Sequence, residues 1–153
     1  MAATDPVLDL LRRQREATLQ PDADPARRKQ YIAALTDLLG KIKSWLQPAQ
    51  KEGLLKLAER SYKLQDRRGG YSAPGLEIRA LVGPSVLVEL EPKGWELIGA
   101  LGRVDLVSGT SYFKLILESS AQWQMEHVSP AGLRLHVPVR EDHFKEWLAK
   151  LMA

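Results

Sequence analysis

The hydrophobic pattern of this chain changes its period about halfway along, and this change constrains the fold more than any other feature of the sequence. Before residue 70, apolar residues recur at spacings of three and four, the period of an amphipathic helix. From Leu76 onward they alternate with polar residues, the period of a half-buried strand. Helical segments followed by strands predict an α+β fold.

Two Asp-Pro pairs mark the predicted helix starts. Asp5-Pro6 and Asp24-Pro25 each place a capping carboxylate before a proline that the first helical turn tolerates. The first helix is expected to end near residues 20–21, the second near 47–48, and a third to cover residues 54–68. We therefore expect an N-terminal helical hairpin of two to three helices. The apolar stripe of the second helix comprises Ile32, Leu35, Leu38, Leu39, Ile42, Trp45 and Leu46.

Turn sequences recur about every ten residues in the second half, as they do between sequential antiparallel strands. The expected strands are residues 76–82, 86–91, 103–107, 112–118, 122–128 and 133–139. This pattern predicts a curved antiparallel β-meander of about five or six strands. A C-terminal helix is expected from Glu141, with Phe144, Trp147 and Leu148 on its buried face.

Charge divides the chain at the same place. Residues 1–70 contain fourteen Lys or Arg and nine Asp or Glu, whereas residues 71–153 contain eight and ten, for a net charge of +3. We expect a basic helical region over 1–70 and an antiparallel sheet with a C-terminal helix over 71–153. A chain of 153 residues is long enough to bury one proper core, so the two parts are expected to form one compact domain.

Several classes of chemistry have no sequence support. The chain has no cysteine, which excludes thiol nucleophiles, Cys-ligated metals and disulfides. The motifs GxSxG, GxGxxG, GxxxxGK[ST] and HExxH are absent. Residues 1–11 show no signal-peptide pattern, and no apolar run is long enough for a membrane span. We expect a cytoplasmic, non-enzymatic protein with no cofactor, no metal and no membrane partner.

The histidines support a third-ranked hypothesis, a small-ligand-binding or hydrolytic protein. If residues 122–139 form a hairpin, His127 could approach His136, and Glu126, Asp142 or Asp105 could complete a metal or acid–base site. Exposed histidines on a solvated sheet face are the favoured explanation. Glu89 and Glu91 lie on the same face of a predicted strand and could serve as two carboxylates. The alternation of apolar and polar residues on a solvated strand is sufficient to explain their positions.

The basic clusters of the helical half support the second-ranked hypothesis, a nucleic-acid-binding accessory protein. Arginine and lysine side chains on one side of the molecule would attract phosphates. Interleaved acidic residues argue against a strongly basic face. The residues predicted to bind nucleic acid are Arg12, Arg13, Arg27, Arg28, Lys29, Arg67 and Arg68.

The preferred hypothesis is a protein-interaction or accessory module that acts through a helical arm and a sheet edge. The first helix carries leucines with little nearby to bury them, and a meander leaves two exposed edges unless it closes. Leu8, Leu11 and Arg15 are the predicted partner-binding residues. The alternative is that this helix completes the core of its own domain. The sequence determines neither the partner nor the oligomeric state.

Overall fold

The computed structural model describes residues 5–19, 23–96, 100–118, 121–128 and 131–153, without the side chains of 13–19, 23–25, 127 and 128. Within these ranges the chain has three helices and seven strands, which confirms an α+β fold. The helices are α1 (Pro6–Leu19), α2 (Ala23–Lys51) and α3 (Glu141–Met152). The strands are β1 (Leu55–Asp66), β2 (Gly69–Ala80), β3 (Leu87–Gly94), β4 (Gly102–Ser108), β5 (Ser111–Leu117), β6 (Trp123–Val128) and β7 (Arg134–Pro138).

Helix α1 begins as expected, whereas α2 begins at Ala23, before the predicted cap Asp24, and is longer than the sequence indicated. The Asp5 carboxylate accepts hydrogen bonds from the backbone N–H groups of Val7 and Leu8 at 3.0 and 3.1 Å, which confirms the predicted cap of α1. Helix α2 continues through Pro48 to Lys51. It is followed by Gly53 in the left-handed conformation, with φ of +73°, which favours glycine.

The third helix predicted over residues 54–68 is wrong: this segment is strand β1. All twelve of its residues pair with β2, from Leu55 opposite Ala80 to Asp66 opposite Gly69. The turn that joins the two strands contains Arg67 and Arg68, so the predicted helical hairpin of α2 with a third helix does not form. Apolar residues at positions 54, 55, 57 and 58 are compatible with a helix or with a strand. Pairing along the whole of β2 selects the strand.

The sheet is a seven-stranded antiparallel meander in the order β1 to β7. The six predicted strands correspond to β2–β7, and β1 makes the seventh, so the expected count of five or six is too low. Strands β1 and β7 are the two edges of the sheet. The β4–β5 turn, Gly109-Thr110, is a two-residue loop.

None of the described helices is long and apolar enough to cross a membrane.

The core lies between one face of the sheet and helices α2 and α3. Tyr31 was not in the predicted stripe of α2, yet it is fully buried and its ring lies against Gly102 of β4. The Tyr31 hydroxyl donates to the Arg103 carbonyl at 2.7 Å and accepts from the Gly94 N–H at 3.2 Å. The other buried core residues include Leu35, Leu39, Ile42, Leu76, Ile78, Val88, Leu90, Val104, Leu106, Leu115, Met125, Phe144, Trp147 and Leu148.

Candidate interaction site

The first part of helix α1, where side chains are described, exposes its large apolar residues. Val7 is 64% exposed, Leu8 43%, Leu10 53% and Leu11 55%. At 100° per residue these four positions share one side of the helix. The side chain of Arg15, the third predicted partner-binding residue, lies outside the described residues. Two of the three predicted residues therefore belong to an exposed apolar surface on α1.

Arg28, one of the predicted nucleic-acid-binding residues, is instead paired inside the fold. Its Nε and Nη2 donate to the two carboxylate oxygens of Asp66 at 2.7 and 2.6 Å, and the Asp66 side chain is 1% exposed. The Arg28 hydrogen bonds lower the pKa of Asp66 to about 2, although burial raises it. The indole N–H of Trp95 also donates to Asp66, at 3.1 Å. This arrangement fastens the β1–β2 turn to the N-terminal part of α2.

The Arg28–Asp66 pair brings two of the predicted basic clusters together. Arg27 and Lys29 are exposed on α2, beside the turn that carries Arg67 and Arg68. Arg67 forms an ion pair with Glu96 at 3.6 Å, and the Arg68 backbone N–H donates to Asp66 at 2.9 Å. We name Arg27, Lys29, Arg67 and Arg68 the basic end. Arg12 is exposed on α1, and the Arg13 side chain lies outside the described residues.

Tyr71 lies against the partly buried Arg28 side chain. The Arg28 guanidinium carbon is 4.7 Å from the centre of the Tyr71 ring, a cation–π contact. The Tyr71 hydroxyl is buried without a hydrogen-bond partner among the described residues. Burial raises the pKa of Tyr71. Tyr71 therefore packs within the fold at the basic end and does not provide an exposed ring for base stacking.

The register of the β6–β7 hairpin does not place the backbone of His127 opposite that of His136. Strands β6 and β7 do form a hairpin, but its register places Glu126 opposite His136, and Leu135 opposite His127. The His136 ring nitrogens lie 3.3 Å from Glu118 and 3.9 Å from Glu126, and the His127 side chain is outside the described residues. The described part of the chain holds no group of three His, Asp or Glu arranged to bind a metal ion.

Glu89 and Glu91 share the sheet face opposite the helices, as the alternation predicted. A hydrogen bond with Glu91 raises the pKa of Glu89, and burial raises it further. Lys93 pairs with Glu91 at 3.1 Å, and Arg60 pairs with the neighbouring Glu77. These carboxylates belong to a network of ion pairs across β1, β2 and β3.

A cleft between β5 and β6 was not predicted from the sequence. The two strands pair only at Leu115–Met125, Ile116–Gln124 and Leu117–Trp123, and in the described residues their pairing extends no further. A cavity of about 430 Å³ lies beside the unpaired part of β5. We name it the β5–β6 cleft; it is lined by Tyr112, Phe113, Lys114, Glu126, Arg134, Trp147 and Lys150.

Apolar side chains near the β5–β6 cleft are exposed as well. Tyr112 is 52% exposed, Leu133 63% and Leu135 48%. Leu135 belongs to β7, the edge strand, and Leu133 immediately precedes it. Among the described residues, exposed apolar side chains thus occur on α1, beside the β5–β6 cleft, and at Leu54, Leu81 and Val82.

The fold and these surfaces define an α+β protein built on a sequential seven-stranded meander with an exposed N-terminal helix. Comparisons of the chain with models of known protein families, with curated proteins and with solved structures found no match. The functional argument therefore rests on the geometry of this chain alone.

Proposed function

We propose that this protein is a non-catalytic interaction or accessory module that contacts a protein partner through helix α1 and the β7 edge of the sheet. The observation that carries the proposal is the exposure of Val7, Leu8, Leu10 and Leu11, which ranges from 43% to 64%. The cytoplasmic location expected from the sequence is part of the same proposal.

The physical argument concerns how a helix of this length is stabilised. An isolated helix of fourteen residues is marginal in water, and most helices in proteins are stabilised by burial of an apolar face. Helix α1 leaves that face exposed in its own fold. An amphipathic helix laid into an apolar groove of a partner would bury it. Each fully buried leucine would contribute about 1.5–3 kcal/mol.

The β7 edge provides a second contact region. Among the described strands, β7 pairs only with β6, so one row of its backbone N–H and C=O groups has no described strand neighbour. Exposed Leu133 and Leu135 lie along it. Exposed apolar side chains along an open strand edge favour contact with a partner over contact with solvent, which supports the sheet-edge part of the proposal.

The test compares proteins captured from a lysate by three forms of the chain. The Leu8→Asp, Leu11→Asp variant disrupts the apolar face of α1, and a Gln30→Asp, Ala33→Asp variant places the same charges at exposed positions of α2. We expect a partner that the wild type and the α2 variant retain and the α1 variant loses. Identical capture by all three forms, or cooperative unfolding of the α1 variant at a much lower temperature, would contradict the proposal.

The basic end supports a second candidate function, nucleic-acid binding. The Arg28–Asp66 pair holds Arg67 and Arg68 beside Arg27 and Lys29, which concentrates positive charge at one end of the molecule. Anisotropy of labelled DNA and RNA at low and physiological salt tests it. We expect Arg27→Glu with Lys29→Glu to weaken binding to all sequences, and Lys51→Glu with Lys56→Glu to leave it unchanged. No binding at low salt would exclude this function.

A further inference from the structure

A group of exposed aliphatic side chains lies at the end of the sheet where β2 turns into β3. Residues 81–85 of this turn are all exposed, with Leu81 at 46% and Val82 at 56%. Leu54, 40% exposed, lies beside them, because its carbonyl accepts a hydrogen bond from the Leu81 N–H at 2.9 Å. We name Leu54, Leu81 and Val82 the apolar tip.

Cations without acidic partners flank the apolar tip. Lys56 of β1 lies directly opposite Arg79 of β2, two positions inward from the leucines of the tip. Like charges directly opposite each other on neighbouring strands are destabilising. Neither cation forms an ion pair with the described residues, and Lys51 at the end of α2 forms none either. One exposed carboxylate, Glu52, follows Lys51, so positive charge predominates around the tip.

The next cation along β1 shows the arrangement that the residues around the apolar tip lack. Arg60 forms an ion pair with Glu77 on β2. The residue opposite Lys56 is instead a second cation, so this charge is not compensated within the described fold. A negatively charged surface would attract Lys51, Lys56 and Arg79 together and would offset the repulsion between the last two.

The side chains of the apolar tip suit a lipid surface better than a protein groove. Leucine and valine are under-represented among the residues that dominate the energetics of protein interfaces, where tryptophan, tyrosine and arginine prevail. Burial of aliphatic side chains at the boundary between lipid headgroups and acyl chains needs no directional partner. Exposed aliphatic side chains beside unpaired cations therefore match the two layers of an anionic bilayer surface.

The backbone of the turn is partly satisfied by its own hydrogen bonds. The Ala80 N–H donates to the Val86 carbonyl at 3.0 Å, and the Ser85 N–H donates to the Val82 carbonyl at 3.4 Å. The Leu81 N–H is satisfied by Leu54, as described above. Backbone groups that leave water for lipid are costly unless they are paired, so these bonds favour entry of the tip into the headgroup region.

We propose that the apolar tip, with Lys51, Lys56 and Arg79, docks this protein on the surface of a bilayer that contains anionic lipids. The aliphatic side chains enter the boundary between headgroups and acyl chains, and the cations contact lipid phosphates. The sequence led us to expect no membrane partner because it has no spanning segment, but contact with a bilayer surface requires none. The inference goes beyond the proposed function, since it uses residues outside α1 and the β7 edge.

Vesicle flotation tests the proposal with the full chain and vesicles of phosphatidylcholine, alone or mixed with phosphatidylglycerol in equal molar parts. We expect binding to the mixed vesicles that high salt weakens, and no binding to phosphatidylcholine alone. Leu81→Ser with Val82→Ser, and Lys56→Gln with Arg79→Gln, should each weaken binding by about tenfold or more. No binding of the wild type to the mixed vesicles, or equal binding of either variant, overturns the proposal.

Two matched variants separate the apolar tip from other exposed surfaces. Leu8→Ser with Leu11→Ser removes aliphatic side chains from α1, and Arg27→Gln with Lys29→Gln removes two cations from the basic end. Each should change vesicle binding less than about threefold. Loss of vesicle binding in the α1 variant with retention in the tip variant overturns the proposal, because it would assign the lipid contact to α1.

The lack of cysteine allows the contact to be located directly. An environment-sensitive fluorophore attached to the thiol introduced by Val82→Cys should shift its emission to the blue on the mixed vesicles, because the label enters a less polar region. The same label introduced through Ala149→Cys, an exposed position of α3, should not shift. Unchanged emission at position 82 while the protein is bound to vesicles contradicts insertion of the tip.

Folding and the proposed function are controlled separately. If Leu81→Ser with Val82→Ser lowers the melting temperature, Val82→Ser alone replaces it in the comparison. Loss of partner capture in the Leu8→Asp, Leu11→Asp variant, together with no vesicle binding by the wild type, leaves the proposed function standing and ends the lipid inference. Vesicle binding with unchanged capture has the opposite meaning. A captured protein that only the tip variant loses, without vesicle binding, assigns the tip to a protein contact and overturns the proposal.

Discussion

Arg28 and Asp66, thirty-eight positions apart in sequence, form a two-point ion pair with N–O distances of 2.7 and 2.6 Å. The carboxylate is almost completely buried and also accepts from the Trp95 indole and the Arg68 backbone. The pair connects the N-terminal part of α2 to the end of β1. It thereby fixes the longest hairpin of the sheet against the helix that covers it.

Removal of the arginine alone should therefore lower the free energy of unfolding more than removal of both partners together. We expect Arg28→Met to lower the free energy of unfolding by about 2–3 kcal/mol, because it leaves the Asp66 charge buried without its main partner. The double variant Arg28→Met, Asp66→Asn should recover part of that loss. Urea denaturation of the wild type, the two single variants and the double variant measures it. A double variant as unstable as the sum of the two single variants would show that the residues act independently.

The same carboxylate should make stability depend on pH. Since its pKa falls from 3.8 to about 2 on folding, its contribution is complete above pH 4 and is lost as pH falls from about 4 to 2. The contribution at neutral pH is about 2 kcal/mol. Thermal unfolding between pH 2 and 7 should show that stability falls more steeply with decreasing pH in the wild type than in Asp66→Asn. Identical slopes would contradict the assignment.

Two glycines should respond to alanine in opposite ways. A Cβ at Gly102 would overlap the buried Tyr31 ring, so Gly102→Ala should destabilise the fold by about 1–3 kcal/mol. Gly40 is exposed within α2 and has open space around its Cα, so Gly40→Ala should stabilise by up to about 1 kcal/mol. Chemical denaturation compares them, and a neutral Gly102→Ala would mean that Tyr31 can move.

Leucines of α1 and α2 should differ in their effect on stability. Leu11→Ala on α1 should change the free energy of unfolding by less than about 0.5 kcal/mol, since this side chain is 55% exposed. Leu35→Ala on α2 should cost about 2–5 kcal/mol, since Leu35 is fully buried. Melting curves of the two variants provide the measurement. A large loss in Leu11→Ala would place α1 in the core.

Because Glu89 lies in contact with Glu91, we expect neutralisation of Glu89 to stabilise the fold slightly. Because Glu91 raises the pKa of Glu89, ionisation of Glu89 opposes folding as pH rises through that pKa. Glu89→Gln should therefore raise stability at pH 7 by a few tenths of a kcal/mol, with no gain at pH 3. Lys93→Gln, which removes the cation paired with Glu91, should act in the opposite direction. Equal gains at both pH values would exclude repulsion as the cause.

Local patterns in the sequence predicted much of the fold. Period-two alternation and regularly spaced turn sequences predicted strands at the positions of β2–β7, and the apolar stripes of α2 and α3 identified most of the helical core. These features are readable because each depends on residues within a few positions of one another. The leucines of α1, Leu8 and Leu11, can be identified as candidate contact residues for the same reason, because the surrounding segment offers them little to pack against.

Tertiary structure decided what local patterns leave open. Residues 55–66 suit a helix or a strand, and pairing with β2 selects the strand; Arg28 looks like a surface cation until Asp66 is brought beside it. The β5–β6 cleft combines residues from β5, the β6–β7 hairpin and α3, which are distant in sequence and meet only in the folded chain. The sequence by itself determined the order and type of most elements, since period and capping are local. Strand pairing, buried charge and the shape of the cleft depend on contacts between distant residues, which only the folded chain establishes.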